Sequence, residues 1–170
     1  MGAVILLSGP VGAGKSTVAK ELVSISPGPV SYIEGDTFWS FITKSGTAHN
    51  IHTNFRMIMT AMVAAARPMA AYGYEVIVDF TIPPWFLDTA RRVVKDKAPL
   101  HYVVIRPSEK TCIARAAARK EGAIADYSRY HDLYTSFDEV QRYTIADDTS
   151  EAAIIAGYVR EGLDEGIFVT

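Results

Sequence analysis

Gly9, Gly14, Lys15 and Ser16 fall at every fixed position of the spacing G-x-x-x-x-G-K-[ST] within GPVGAGKS, residues 9–16. Each residue type there has a chemical reason. Glycines let the backbone wrap closely enough for several N–H groups to face one anion, and a following helix adds the positive end of its dipole. Lys15 then reaches the terminal phosphates of a bound nucleoside triphosphate, and the Ser16 hydroxyl is placed to ligate Mg²⁺. The nucleotide cradle expected on this basis comprises Gly9, Gly12, Ala13, Gly14, Lys15, Ser16 and Thr17.

Further groups are spaced to serve a phosphate site. VIVDF (76–80) is an apolar run ending in Asp79, a carboxylate that orients Mg²⁺ or, alternatively, caps the next helix. YIEGDTFWSF (32–41) places Glu34, a second candidate metal ligand, and Asp36 on either side of Gly35, which allows the backbone to turn. An alcohol accepting a phosphoryl group needs a carboxylate to orient its hydroxyl and take the proton, and Asp36 is the candidate, with N-capping as its other role. RAAARKEG places Arg115 and Arg119 at i and i+4 on one helix face, before a glycine-containing loop from which cations can neutralise transferring charge. Arg56, four residues after His52, suits a clamp on an acidic substrate, and Trp39 follows a strand end near the expected crevice. His49, His52, His101 and His131 show no metal-ligand spacing, so zinc is not expected.

These groups need a scaffold. Five β-branched or aromatic runs, at 3–8, 30–34, 74–80, 100–106 and 143–147, alternate with helical patterns, which implies βαβ units and a parallel sheet covered on both faces. The spacing predicts helices over 15–25, from Ile51 with Phe55, Met59, Met62, Val63 and Ala66 on one face until Pro68 kinks or ends it, over 110–120 with Ser108 as N-cap, and over about 150–163. In such sheets ligands bind beyond the carboxyl ends of the strands. Glu34, Asp36, Asp79, Arg106, Asp147 and Asp148 all fall at that edge. Segments 43–50 and 121–128 are the expected mobile loops.

Composition narrows the function classes. At 170 residues, 49% hydrophobic, with net charge −2, the chain suits one globular unit and not a dedicated nucleic-acid binder, which would need clustered Lys and Arg. Cys112 is the only cysteine, so an internal disulfide is excluded and the cytoplasm is favoured. The run Ala3–Leu7 is too short for a signal peptide, no membrane-spanning run of about 18 apolar residues occurs, and Leu6 breaks the myristoylation pattern.

GPVGAGKST, IEGD, VIVD, RAAARKEG and the closing SFDEVQRYTIADDTSEAAIIA together resemble the small P-loop kinases of gluconate and shikimate and the chloramphenicol phosphotransferases, over most of the chain. The gluconate kinase type is the most similar pattern. The resemblance implies an α/β P-loop NTPase fold of three layers with a five-stranded parallel sheet of order 2-3-1-4-5. It also implies one kinase domain over 1–170, a helical substrate region at about 36–73 and an arginine lid at about 119–130. It makes Lys15 and Ser16 phosphate and Mg²⁺ contacts, Asp36 the base, and Arg119 with Arg115 the lid cations. TFW follows Gly35-Asp36 where gluconate kinases have leucine-histidine-proline, and TIPPW follows the third strand where shikimate kinases have a glycine triplet. Acceptor identity is therefore not transferred, and the aromatic residues suit an acceptor less polar than a sugar acid. The expected function is an ATP- and Mg²⁺-dependent kinase of a small hydroxyl compound, as monomer or homodimer, without nucleic-acid or membrane partners. The alternatives are a regulatory ATPase, or a kinase acting on a nucleotide or an antibiotic.

Overall fold

The structure, a computed structural model, describes residues 2–44, 46 and 50–170. Strand β1 (Ala3–Ser8) is buried along almost its whole length, as a central parallel strand must be when helices cover both faces. It is flanked by β3 (Glu75–Asp79) and β4 (Leu100–Ile105), with β2 (Val30–Glu34) and the short β5 (Thr144–Ile145) outside them. All pairings are parallel and the order is β2-β3-β1-β4-β5. Register sets the site: Leu7 pairs with Asp79, and Asp79 with Glu34, so the carboxyl ends of three strands finish abreast.

Two helical layers cover the sheet. Helix α1 (Lys15–Ile25) packs on α6 (Ala152–Asp164), and α2 (Ile51–Ala71) packs on α3 (Leu87–Val94). Helix α4 (Glu109–Ala117) follows β4, capped as expected by Ser108, whose Oγ accepts from the Thr111 N–H at 3.3 Å; α5 (His131–Ser136) precedes β5. No helix among the described residues is long and apolar enough to cross a membrane.

Several expectations need correction. Pro68 does not end α2, which continues to Ala71. A proline removes a single donor and disturbs one carbonyl a turn earlier, and the buried Ala66 and Ala70 hold the last turn on the core. Of the expected face of α2, Met59, Met62, Val63 and Ala66 are buried and Phe55 is half-buried against the core, whereas Ile51 in the first turn is 63% exposed. Helix α4 stops at Ala117 instead of Lys120. Helices α3 and α5, too short for a clear period, were not anticipated, nor was the C-terminal tail, whose Val169 bridges His101 antiparallel beside β4. The expected helix after Asp36 is a 3-10 helix, Gly35–Phe41. Residues 45 and 47–49 of the expected loop at 43–50, including His49, lie outside the described residues.

Candidate active site

The phosphate loop joins β1 to α1. Gly9 and Gly12 have φ of +140° and +82°, where side chains are strained, and a Cβ at either would collide with a backbone carbonyl, that of Ile105 or of Cys112. The loop is therefore pressed onto the end of β4 and onto α4. Helix α1 begins after Gly14 with no side-chain cap, which leaves the positive end of its dipole open toward an anion. The Lys15 Nζ donates to the Pro10 carbonyl at 3.0 Å, bending the side chain back over its own loop.

Lys15, Ser16, Glu34, Asp36, Asp79 and Arg119 line one cleft of about 190 Å³ at the carboxyl edge of the sheet. Six candidate residues from four separate segments thus converge. Burial lowers the Lys15 pKa to about 8, against the pull of Asp79 and with the Arg119 charge adding to the depression. Asp79 is 4% exposed, and its Oδ2 accepts from the Tyr32 hydroxyl at 2.9 Å. Burial, then the Asp79 charge, pushes the Tyr32 pKa up, so the phenol keeps its proton and fixes the carboxylate. Gly35 has a different reason to be glycine than turning freedom: a Cβ there would stand 2.5 Å from the Phe80 ring and 2.6 Å from Met62 Sδ. Close packing behind the cleft, not a left-handed turn, excludes a side chain.

The two arginines separate because α4 ends early. Arg119, beyond the helix, lines the cleft; Arg115 stays on α4 and donates from Nη1 to the Ala13 carbonyl at 3.3 Å, bracing the phosphate loop from outside. Between 121 and 128 the chain is tied down at two points: the Ile124 N–H donates to the Ala116 carbonyl at 3.1 Å, and Tyr127, 5% exposed, donates its hydroxyl to the Val11 carbonyl at 2.7 Å. Tyr130, whose ring centroid lies 5.5 Å from that of Tyr127, completes the cleft wall.

Other expected residues lie elsewhere. Trp39 is half-buried against the core and does not line the cleft. Arg56 stacks over Trp85 at 4.7 Å beside a separate cavity. At the sheet edge Asp147 accepts from the N–H groups of Thr149 and Ser150, which hold its pKa down at about 2, and Asp148 accepts from Ser108. Arg106 pairs with Asp138 at 2.7 Å and stacks on Tyr134, so these three residues build turns at that edge. The Cys112 thiol is buried and its pKa is pushed up to about 11, which makes it a packing residue and not a nucleophile.

Residues missed from the sequence are Tyr32, Tyr127 and a buried trio beneath the cleft floor. In that trio the Ser8 and Tyr102 hydroxyls both donate to the Ile82 carbonyl, at 2.7 and 2.6 Å, and Ser8 Oγ accepts the Ile82 N–H. Tyrosines inside strand runs were the available signal, since a buried phenol needs a partner.

A parallel sheet of this order with a glycine-rich phosphate loop between its first strand and helix defines the P-loop NTPase fold. Residues 4–132 match the AAA domain family, and the chain belongs to it. Among solved structures, the tunicamycin resistance protein of Deinococcus radiodurans aligns with a TM-score of 0.71 at 17% identity, over 100% of this chain and 99% of that one. The APS kinase of Mycobacterium tuberculosis, solved with AMPPNP and APS, gives 0.68 at 19% identity, over 96% and 98%. A gluconokinase from Sinorhizobium meliloti 1021 gives 0.63 at 19% identity, over 98% and 93%. At such identities the likeness establishes the fold. No curated protein sequence matches the chain.

Proposed function

We propose that this chain is an ATP-dependent kinase that transfers the γ-phosphate to a hydroxyl group of a small molecule. The observation that carries the proposal is the convergence of Lys15, Ser16, Asp36, Asp79 and Arg119 on one cleft. Lys15 and the N–H groups of the phosphate loop hold the β- and γ-phosphates. Asp36 orients the acceptor hydroxyl and takes its proton as oxygen attacks the γ-phosphorus, while ADP departs from the opposite side. Arg119 neutralises charge on the transferring group. The donor set fits Mg²⁺: Ser16 offers a hydroxyl and Asp79 and Glu34 offer carboxylates, all hard oxygen ligands lining the cleft. Ser16 and Asp79 would hold the ion, which would supply positive charge against the phosphates. Among the described residues no cluster of three His, Cys, Asp or Glu forms an all-protein cage, which suits an ion that keeps water and phosphate ligands. Solved structures of similar fold include an APS kinase and a gluconokinase, which supports the phosphoryl-transfer reading.

The test is γ-phosphate transfer from ATP across sugar acids, polyols, nucleosides, aminoglycosides and phenicols, with Lys15→Ala as control. An acceptor phosphorylated by the wild type alone supports the proposal. Steady hydrolysis of ATP with no acceptor phosphorylated points instead to a regulatory ATPase.

A further inference from the structure

Tyr32 and Asp79 meet across neighbouring strands along a diagonal. Tyr32 of β2 stands opposite Ile77 of β3, and Glu34 stands opposite Asp79. Residues two apart in a strand share a sheet face, so the phenol and the carboxylate lie on the same face, and an aromatic side chain is long enough to span the diagonal step. The Tyr32 hydroxyl donates to Asp79 Oδ2 at 2.9 Å.

That contact is all the fixing this carboxylate receives. Asp79 is 4% exposed, yet among the described residues no cation pairs with it within 4 Å and no second donor reaches it. Lys15 turns its ammonium to the Pro10 carbonyl instead. One oxygen, Oδ2, is therefore committed, and the other, Oδ1, accepts no hydrogen bond among the described residues. Asp79 lines the cleft beside Ser16, so what it presents to a cation there is one uncommitted oxygen and not two.

The number of oxygens on offer discriminates between hard cations. Mg²⁺ demands a near-ideal octahedron, and the two oxygens of a single carboxylate subtend too narrow an angle for it, whereas Ca²⁺ accepts about six to eight oxygens in flexible geometry and takes carboxylates through both. From this geometry we infer that Tyr32 is a positioning residue that sets the cation preference of the cleft: by occupying Oδ2 it holds Asp79 to a single free oxygen and so favours Mg²⁺ over Ca²⁺. The inference rests on the metal role that the kinase proposal gives to Ser16 and Asp79, and it is independent of which acceptor is used.

Calorimetric titration with AMPPNP in excess Mg²⁺, in excess Ca²⁺ and in EDTA reads this preference without turnover. In the wild type AMPPNP should bind most tightly with Mg²⁺, less tightly with Ca²⁺ and most weakly in EDTA. Tyr32→Phe keeps the ring and loses the donor: binding with Mg²⁺ should weaken about tenfold, as loss of a partner that orients a metal ligand does, while binding with Ca²⁺ stays equal or tightens. The ratio of the two Kd values should thus shrink about tenfold or more. A role in stability alone would move the melting temperature and leave that ratio where it was. Asp79→Asn and the double variant Tyr32→Phe/Asp79→Asn should share one ratio, because an amide offers a single oxygen with or without the phenol. An unchanged ratio in Tyr32→Phe, a further change when Tyr32→Phe is added to Asp79→Asn, or wild-type binding as tight with Ca²⁺ as with Mg²⁺ would overturn the inference. Equal AMPPNP affinity in Mg²⁺ and EDTA would remove the metal role itself and the inference with it. A ratio that shifts as expected, in a protein that phosphorylates no acceptor, would count against the kinase proposal and leave the role of Tyr32 standing.

Discussion

Lys15 loses water to the cleft walls, and burial holds its pKa down at about 8 against the attraction of Asp79. A lysine depressed in the folded state binds fewer protons than in the unfolded chain between about 8 and its ordinary 10.5, so its linked contribution to stability rises with pH across that window. Below it the buried charge is fully unfavourable. Lys15→Met should therefore stabilise the fold at pH 7 by on the order of 1–3 kcal/mol, read as a higher melting temperature, while abolishing phosphoryl transfer; a lower melting temperature would mean that the charge is compensated in the cleft. In the wild type, ATP affinity should decline as pH rises through about 8, because only the ammonium form attracts phosphate, and titrations at several pH values check this. On the proposed mechanism Asp36→Asn retains the shape and loses the proposed base: kcat should drop about 10²- to 10⁴-fold with the KM for ATP nearly unchanged, measured by steady-state kinetics. Lys15, Ser16 and Asp79 were legible because motif spacing specifies them. The reason for Gly35 was not, since a contact with Phe80 and Met62 belongs to packing between distant segments.

Strands and the first helix could be read because each carries its own period and its own punctuation, SPGP ending α1 and Ser108 opening α4. The end of α4 and the anchoring of the segment after it could not. Tyr127 reaches a carbonyl 116 residues earlier in the chain, and nothing local in EGAIADYS marks it as an anchor. That hydrogen bond joins the segment after Arg119 to the phosphate loop, so it positions two sides of the same cleft at once. Tyr127→Phe should remove about 1 kcal/mol of stability, leaving the Val11 carbonyl without its donor. Because both Arg119 and the loop lose a restraint, the KM for ATP should rise about tenfold and kcat should fall. Kinetics and thermal unfolding measured together decide the matter: a melting shift with unchanged kinetics would make Tyr127 structural only.

Across the whole molecule, the apparatus that holds the layers together lies at the opposite end of the strands from the cleft. Glu75 opens β3, whose last residue, Asp79, lines the site. Its carboxylate accepts from Arg160 of α6 at 2.7 and 3.0 Å and from Ser26 at the end of α1 at 2.9 Å, so one side chain links two helices to the sheet. Arg160 and Glu75 are only 18% and 20% exposed, and Arg160 Nε is buried without a partner of its own among the described residues. Glu75→Ala leaves Arg160 with Asp164 alone, and the half-buried guanidinium should cost about 1–3 kcal/mol, less than a fully buried pair because solvent reaches it. For a chain of this size that lowers the melting temperature by roughly 4–10 °C. Saturating AMPPNP at about 100 times its dissociation constant should stabilise the wild type by about 2.7 kcal/mol. If the two ends of the sheet are energetically independent, the same ligand shift should appear in Glu75→Ala, displaced to lower temperature. Sites far apart with no shared partners add in this way. A ligand shift that shrinks in Glu75→Ala would mean that the strand register carries coupling from the α1–β3–α6 junction to Asp79, making the scaffold part of nucleotide binding.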